Sequence, residues 1–156
     1  MREPTEEEAE RYDWLSGLQG VQLGLYEVTD TQFAKGLVDA NETIRESFAA
    51  TGFHDFEGQP PGNDAKRVVR VWVLTSKGLQ GGKMSLYRPE TRGGVFYRFW
   101  VYRFSRHLPN ARSGDLVALV QNGSVCVVVD LSLVELTQDR MLVLEGIFGN
   151  AAGAYS

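Results

Sequence analysis

The sequence predicts a mainly β fold with short α-helices, curled into a closed or partly closed barrel. Strand-like runs of apolar and aromatic residues recur between residues 67 and 131, and they are separated by Gly, Pro, Asn and Ser. The pair Asn122-Gly123 stands between two of these runs and favours a tight hairpin, because both central residues of such a turn must adopt positive φ. A barrel follows because it leaves the fewest unpaired strand edges.

Two short helices are predicted in the first third of the chain. Thr5 and Glu8 have capping-box spacing, in which each side chain can satisfy the other residue's backbone N–H, so a helix is expected over residues 6–15. Asn41 can cap a second helix over residues 41–50, whose apolar residues share one face. Both helices are short enough to serve as covers for a sheet.

The strands are predicted from apolar runs bounded by turn residues. Residues 21–28 form the first strand, a polar loop follows at 30–36, and residues 52–64 form a loop with no element of its own. The later strands are expected at residues 67–75, 83–87, 95–104, 116–121 and 125–131.

The run at residues 95–104 is predicted to lie at the centre of the sheet. Both of its alternating faces are mostly apolar or aromatic, with Arg98 and Arg103 as polar exceptions on opposite faces. The segment at residues 133–148 fits a strand and a helix equally well, and both alternatives stay open.

One domain is expected, because 156 residues can bury one sizeable core and are too few for two ordinary domains. Residues 1–19 are assigned to an N-terminal helix and extension, residues 20–148 to the domain, and residues 149–156 to the start of a linker toward a further domain.

A cytoplasmic protein that does not cross a membrane is also expected. The single cysteine, Cys126, lies in an apolar run and has no internal disulfide partner, which suits a reducing compartment. The acidic N-terminus lacks the apolar core of a signal peptide, and no run approaches the ~18 apolar residues of a membrane span.

Charge is distributed very unevenly along the chain. Residues 66–112 hold eleven Lys or Arg and one acid, Glu90, whereas residues 1–64 hold fourteen acids and four bases. Six arginines between Arg88 and Arg112 alternate with aromatic residues. A block of this kind can present a positive face to phosphate on a protein whose net charge is −4. The simpler alternative is a set of solvated strand edges that carry Lys and Arg.

No catalytic constellation is found. Gly81-Gly82-Lys83 resembles the end of a phosphate-binding loop but lacks the Ser or Thr that should follow. His54 and His107 lie in different regions without cysteines or paired carboxylates, which makes a zinc site improbable. We therefore predict no catalytic residue, no metal site and no cofactor for this domain.

Recognition remains as the expected activity. An arginine offers a planar fork that can grip guanine or two phosphate oxygens. Two polar loops could present such contacts, one at residues 29–35 and one at residues 88–94. Within the second loop, Glu90 could accept a hydrogen bond from cytosine or brace an arginine. Ordinary solvated turns are the alternative for both loops.

Three segments resemble the B3-like DNA-binding domain of EcoRII-type restriction endonucleases, an effector-binding domain related to the B3 domain of plant transcription factors. Residues 26–31, followed by Gly36, resemble the exit of the first strand and the N-arm of that family. Residues 87–94, with the aromatic and basic strand after them, resemble its C-arm. The segment at 106–119 resembles the turn that leads into its Gly-Asp-x-Val strand, here Gly114 to Val117.

The resemblance implies a seven-stranded open β-pseudobarrel whose N-arm (residues 29–35) and C-arm (residues 88–94) grip the major groove of double-stranded DNA. It implies a monomeric, non-catalytic module that reads a site like CC(A/T)GG, while a separate magnesium-dependent domain cuts. Carried over by position, the N-arm readers are Asp30, Thr31, Gln32 and Lys35, the C-arm readers are Arg88, Glu90 and Arg92, and the phosphate or secondary contacts are Arg98, Arg103 and Arg106.

Three other functions stay open. Residues 92–99 match four of the seven specified positions of the aromatic strand motif of RNA-recognition modules, which predicts single-strand or RNA binding. A nuclease with an unrecognised site and an interaction module for an acidic protein are the remaining alternatives.

Overall fold

The computed structural model describes residues 1–152, with side chains described throughout that range except those of residues 91, 92 and 150–152. The strands are β1 Gln22–Glu27, β2 Val38–Asp39, β3 Arg67–Thr75, β4 Gly78–Tyr87, β5 Arg98–Val101, β6 Leu116–Asn122 and β7 Val125–Asp130. The α-helices are α1 Glu6–Ser16, α2 Asp30–Lys35, α3 Glu42–Thr51, α4 Phe104–His107 and α5 Gln138–Ala152, and short 3₁₀ turns occupy Asn63–Ala65 and Thr91–Gly94.

The strands form one curled, open sheet in the order β1-β6-β7-β3-β4-β5-β2. Neighbouring strands are antiparallel except β3 and β7, which pair in parallel through Trp72 with Val127 and Val73 with Val128. The edges are β1 and the two-residue β2, and they are not paired with each other in the sheet. The prediction of a mainly β, seven-stranded open pseudobarrel with short helices is therefore confirmed.

Two apolar cores lie on opposite faces of this sheet, and successive residues of β6 contribute alternately to one core and to the other. Val117 and Leu119 join an inner core with Ile44 and Phe48 of α3. The intervening residues of β6 face the other way, into an outer core closed by residues of α1 and α5, among them Leu144. Because both faces of β6 and β7 are covered, these strands read as continuous apolar runs.

Local sequence signals fix the starts of α1 and α3 as expected. The Thr5 hydroxyl accepts from the Glu8 N–H at 3.2 Å, and the Glu8 carboxylate accepts from the Thr5 N–H at 2.9 Å, which completes the capping box. The side-chain oxygen of Asn41 accepts from the Ile44 N–H at 2.9 Å. Each cap contributes about 0.5–2 kcal/mol to its helix.

The predictions of an all-loop segment at residues 30–36 and of an elementless loop at 52–64 are wrong. Residues Asp30–Lys35 form α2 because Thr29 caps it through the Gln32 N–H and because Phe33 packs edge-on against Phe104. The second segment contains the turn Asn63–Ala65 and buries two phenylalanines in the inner core.

The predicted strand at residues 95–104 is too long and wrongly placed. The strand β5 has four residues and lies next to the edge strand β2, not at the centre. It ends because Arg103 adopts a left-handed conformation with φ of 55°, after which the chain turns into α4. The preceding strand begins earlier than expected, at Gly78 instead of Lys83.

The C-terminal segment left open by the sequence is helical from residue 138. Thr137 precedes α5 and caps its start, since its side chain accepts from the Arg140 N–H at 3.3 Å. The helix includes residues 149–152, and the rest of the predicted linker, residues 153–156, lies outside the described residues. Within residues 1–152 no helix is both long enough and apolar enough to cross a membrane.

Candidate nucleic-acid interface

One face of the β3–β4–β5 sheet carries cations and aromatic rings but no acid. Strand alternation and register place the outward positions of β3 opposite those of β4, as in the pairs Arg70 with Lys83 and Trp72 with Gly81. β5 continues the same face, with Ser85 of β4 opposite Trp100. We call this surface the basic face; the positions on this side of the sheet are Lys66, Val68, Arg70, Trp72, Gly81, Lys83, Ser85, Tyr87, Arg98, Trp100 and Tyr102. Of these, Ser85 is fully buried.

Aromatic rings on the basic face pack around a lysine. The Trp100 and Tyr102 ring centroids are 4.8 Å apart with a 45° tilt. The Lys66 ammonium lies 5.8 to 6.0 Å from the centroids of these two rings and of Tyr87. Such contacts contribute about 0.5–1 kcal/mol at exposed sites. They keep a cation in place while leaving its charge available to solvent.

The N-arm lies against one end of the basic face. Thr31 and Lys35 are exposed on α2, and the exposed Asp30 accepts a hydrogen bond from the Ser113 hydroxyl. Gln32 is buried instead, and its amide donates to the Tyr26 hydroxyl at 3.2 Å. Three of the four predicted N-arm readers are thus at the surface, and Gln32 points into the molecule.

A glycine seats the N-arm on the sheet. Gly36 ends α2 with φ of +73°, and a Cβ at this position would lie 2.4 Å from the Trp100 indole nitrogen. The close approach explains why a glycine follows α2. It also fixes the N-arm next to the ring that marks the centre of β5.

The C-arm is braced by its own chain. The Arg88 guanidinium donates to the Gly94 carbonyl from Nη2 at 2.7 Å and from Nε at 3.1 Å, and it donates to the Gln59 carbonyl at 3.0 Å. The same group lies 4.9 Å from the Tyr97 ring centroid. Arg88 therefore shapes the C-arm with the donors that the sequence assigned to base reading.

The other two predicted C-arm readers are Glu90 and Arg92. Glu90 is exposed, and its carboxylate would be 2.7 Å from a Cβ on Gly62. The Gly62 N–H donates to the Arg88 carbonyl at 2.7 Å, so the loop at 52–64 supports the C-arm from behind. The side chain of Arg92 lies outside the described residues.

The two arms lie at opposite ends of β5. β2 runs antiparallel to β5, so Gly36 at its start faces Trp100, while Ala40 beyond its end donates to the Tyr97 carbonyl at 2.8 Å. From Tyr97 to Trp100 the chain spans about 10 Å at an extended rise of about 3.3 Å per residue. The arms consequently frame the basic face and do not converge on one point.

The three secondary arginines occupy different positions. Arg98 is on the basic face, with its Nε 3.5 Å from an Asp39 oxygen, and its side chain is 28% exposed against 82% for the carboxylate. Arg103 is exposed at the turn after β5, and Arg106 is exposed on α4. Within the described residues, neither Arg103 nor Arg106 has a carboxylate within 4.0 Å.

Sequence reasoning missed part of this surface. The family resemblance does not point to Lys66, Arg70 or Lys83, although all three belong to the basic block of residues 66–112. It does not point to the rings of Trp72 and Trp100 either. A usable signal was present, because Val68, Arg70 and Trp72 share one parity in a run whose other parity is apolar.

A cleft of about 900 Å³ opens beside the basic face. Its walls come from β3, from β4, from the turn after β5 and from the tip of the β6–β7 hairpin. We call it the β3–β7 cleft; its lining residues are Val68, Arg70, Val71, Trp72, Gly81, Gly82, Lys83, Tyr102, Arg103, His107, Ser124, Val125 and Cys126.

Both histidines are held toward the neutral form. Burial lowers the pKa of His54, whose Nε2–H donates to the Gln59 side-chain oxygen at 3.0 Å and whose Nδ1 accepts from the Arg67 guanidinium at 3.0 Å. Burial and the nearby Arg103 lower the pKa of His107. Within the described residues, no group of three His, Cys, Asp or Glu side chains could hold a metal ion.

No protein-family model, no curated protein and no solved structure matches this chain.

Proposed function

We propose that this chain is a sequence-specific double-stranded DNA-binding domain, and that it serves as a non-catalytic module of a type II restriction endonuclease. The observation that supports it best is the basic face, which carries no acid at its positions on β3, β4 and β5 and lies between two exposed arms. Asp39 of β2, paired with Arg98, lies at its edge. Lys66, Arg70, Lys83 and Arg98 on that face can neutralise phosphates, which releases counterions from the duplex.

The arms supply the sequence reading in this proposal. Thr31 and Asp30 of the N-arm present short polar groups and Lys35 a long cationic one, and Glu90 and Arg92 of the C-arm can reach base edges in the major groove. Arg88 acts as a positioning residue, since its donors hold the C-arm in shape. Arg103 and Arg106 extend the phosphate contacts past the end of β5.

The proposal has further parts that rest on the family resemblance. The recognised site is CCWGG-like, with W standing for A or T, and the domain binds it as a cytoplasmic monomer without a cofactor. Cleavage of the DNA, and the magnesium that it requires, belong to a separate catalytic domain.

Single-strand or RNA binding is the second candidate, because exposed rings on a sheet can stack on bases. Trp72, with 41% of its surface exposed, favours it. Two rings within the segment that suggested it, residues 92–99, are unsuitable for stacking. Phe99 has no exposed surface, and Tyr97 lies between the guanidinium groups of Arg45 and Arg88, at 4.4 and 4.9 Å.

The test compares charge-removing variants across salt concentrations. Fluorescence anisotropy with a labelled CCWGG duplex, between about 50 and 200 mM salt, gives the slope of log affinity against log salt. We expect Lys66→Gln and Arg70→Gln each to flatten that slope by about one unit. Lys77→Gln removes the same charge from the exposed turn at the far end of the β3–β4 hairpin and serves as the control.

The proposal fails if the duplex does not bind, or if all three variants change the slope equally. Binding that is indifferent to sequence would reduce the surface to a general polyanion site.

A further inference from the structure

The β3–β7 cleft exists because two parallel strands separate. Pairing between β3 and β7 is confined to Trp72 with Val127 and Val73 with Val128. The first half of β3 diverges from that point, and the hairpin tip at residues 124–126 becomes the opposite wall. The cleft is thus a permanent consequence of the topology and needs no motion to form.

The charge of the lining favours an anion. Arg70, Lys83 and Arg103 line the cleft, and no Asp or Glu does. Within the described residues, none of these three cations has a carboxylate within 4.0 Å. His107, held toward its neutral form, can donate or accept a hydrogen bond without adding charge at neutral pH. Three unneutralised cations around one space match a phosphate group.

The remaining lining suits a planar ring. Trp72 is 41% exposed at the cleft, and its partner across the ladder is Gly81. A Cβ on Gly81 would meet nothing within 4 Å, so the space over the strand at this point is open. The volume of about 900 Å³ is within the range of sites for small organic ligands and far exceeds what a phosphate ion fills.

We propose that the β3–β7 cleft binds a single nucleotide unit, with its phosphate at Arg70, Lys83 and Arg103 and its base against Trp72. The nucleotide has two possible sources. One is a free mononucleotide. The other is a nucleotide rotated out of a bound duplex, and this source rests on the proposed DNA-binding function.

The first experiment uses isothermal titration calorimetry with adenosine 5′-monophosphate, adenosine and inorganic phosphate. The proposal expects the monophosphate to bind at least roughly tenfold more tightly than either fragment, because only it engages both the cations and the ring. Gly81→Val places a side chain in the open space beside Trp72 without removing charge, and it should weaken monophosphate binding at least roughly tenfold. Lys83→Gln should weaken it as well.

Two controls make the outcome decisive. Lys77→Gln, which removes a charge outside the cleft, should leave monophosphate binding unchanged, and thermal denaturation shows whether Gly81→Val keeps the fold. Equal binding of monophosphate and inorganic phosphate would overturn the proposal. So would a folded Gly81→Val protein that binds the monophosphate as well as the parent.

A second experiment distinguishes the two possible sources of the nucleotide. Anisotropy compares a fully paired duplex with the same duplex carrying one unpaired adenosine, which is less costly to rotate outward. If the duplex with the unpaired adenosine binds more tightly and Gly81→Val abolishes that preference, the ligand of the cleft is the extruded nucleotide. If the monophosphate binds but that preference is absent, the ligand is the free mononucleotide. If the monophosphate binds but no duplex does, only the proposed DNA-binding function is contradicted. If the duplex binds but neither monophosphate binding nor a preference for the unpaired adenosine is seen, only the cleft proposal is contradicted.

Discussion

The guanidinium of Arg88 contacts three carbonyl groups of the neighbouring loops at 3.5 Å or less besides that of Gly94. The sequence can place an arginine in a loop, but it cannot tell whether the donors face a partner or the loop itself. Gln32 poses the same problem, since a polar residue in a polar segment turns out to be buried against Tyr26. Such outcomes depend on tertiary contacts between residues distant in the chain.

Replacement of Arg88 by Gln should therefore destabilise the fold. Hydrogen bonds to a charged group contribute about 1.5–3 kcal/mol, and we expect a loss of that order in the free energy of unfolding, measured by urea denaturation. Glu90→Gln, which changes an exposed residue of the same loop, should have little effect. Unchanged stability combined with relaxed sequence preference would identify Arg88 as a direct base reader.

The raised pKa of Asp130 predicts a loss of stability as pH rises from about 4 to about 8. Burial and the adjacent Asp115 raise the pKa of Asp130 to about 8. The folded protein therefore holds a proton that the unfolded chain releases at its ordinary value near 4, so the stabilisation is complete below that value and disappears as pH rises through about 8. Asp130→Asn should flatten the stability profile between about pH 4 and pH 8, whereas Asp139→Asn, on the exposed start of α5, should not.

The lowered pKa of Glu8 predicts a loss of stability as pH falls. Its hydrogen bonds with Arg2, Ser132 and Thr5 lower its pKa to about 2. The stabilisation is present above the ordinary value of 4.5 and is lost as pH falls toward 2. Glu8→Gln should remove part of the acid-induced loss of stability, measured by thermal denaturation from pH 7 down to pH 2. An unchanged acid limb would show that this network does not control acid unfolding.

Among the elements, those with local signals were predictable. The caps of α1 and α3 depend on a few adjacent residues, and both occur as expected. A hairpin also joins β6 and β7, but its central residues are Gly123 and Ser124 and not the predicted Asn122 and Gly123, since Asn122 pairs with Val125 and only Gly123 of the predicted pair has positive φ. The two-residue β2 exists only because β5 lies beside it, and α2 owes its position to Phe33 packing on Phe104. No short-range pattern could have indicated β2, whereas the Thr29 cap and the left-handed Gly36 are local signals of α2.

The seating of the N-arm on the sheet gives a prediction at Gly36. Alanine there would adopt φ of +73° and place its Cβ 2.4 Å from the Trp100 indole nitrogen, so we expect a loss of at least about 1 kcal/mol in unfolding free energy. Displacement of α2 should also weaken duplex binding. Gly146→Ala in α5, where a Cβ meets nothing, should stabilise the helix slightly. Equal effects at both positions would refute the proposed seating.

At the scale of the whole molecule, the barrel could be predicted because alternating apolar strands leave few ways to hide their edges. The candidate site was predictable only as charge: the sequence places ten net positive charges in residues 66–112, but the register of β3, β4 and β5 decides which of them share a surface. The acidic residues 1–64 and the basic face also make the molecule electrically asymmetric, which favours an oriented approach to a polyanion.

The most direct test of the central claim is a competition gel shift at physiological salt. A labelled CCWGG duplex is mixed with one of three unlabelled competitors. These are a duplex with the same site, a duplex with a scrambled site, and single-stranded RNA of equal length. We predict that the cognate duplex competes at least roughly a hundredfold better than the scrambled one, within the range expected of specific DNA binders. Equal competition by all duplexes, or stronger competition by the single strand, would contradict sequence-specific duplex recognition.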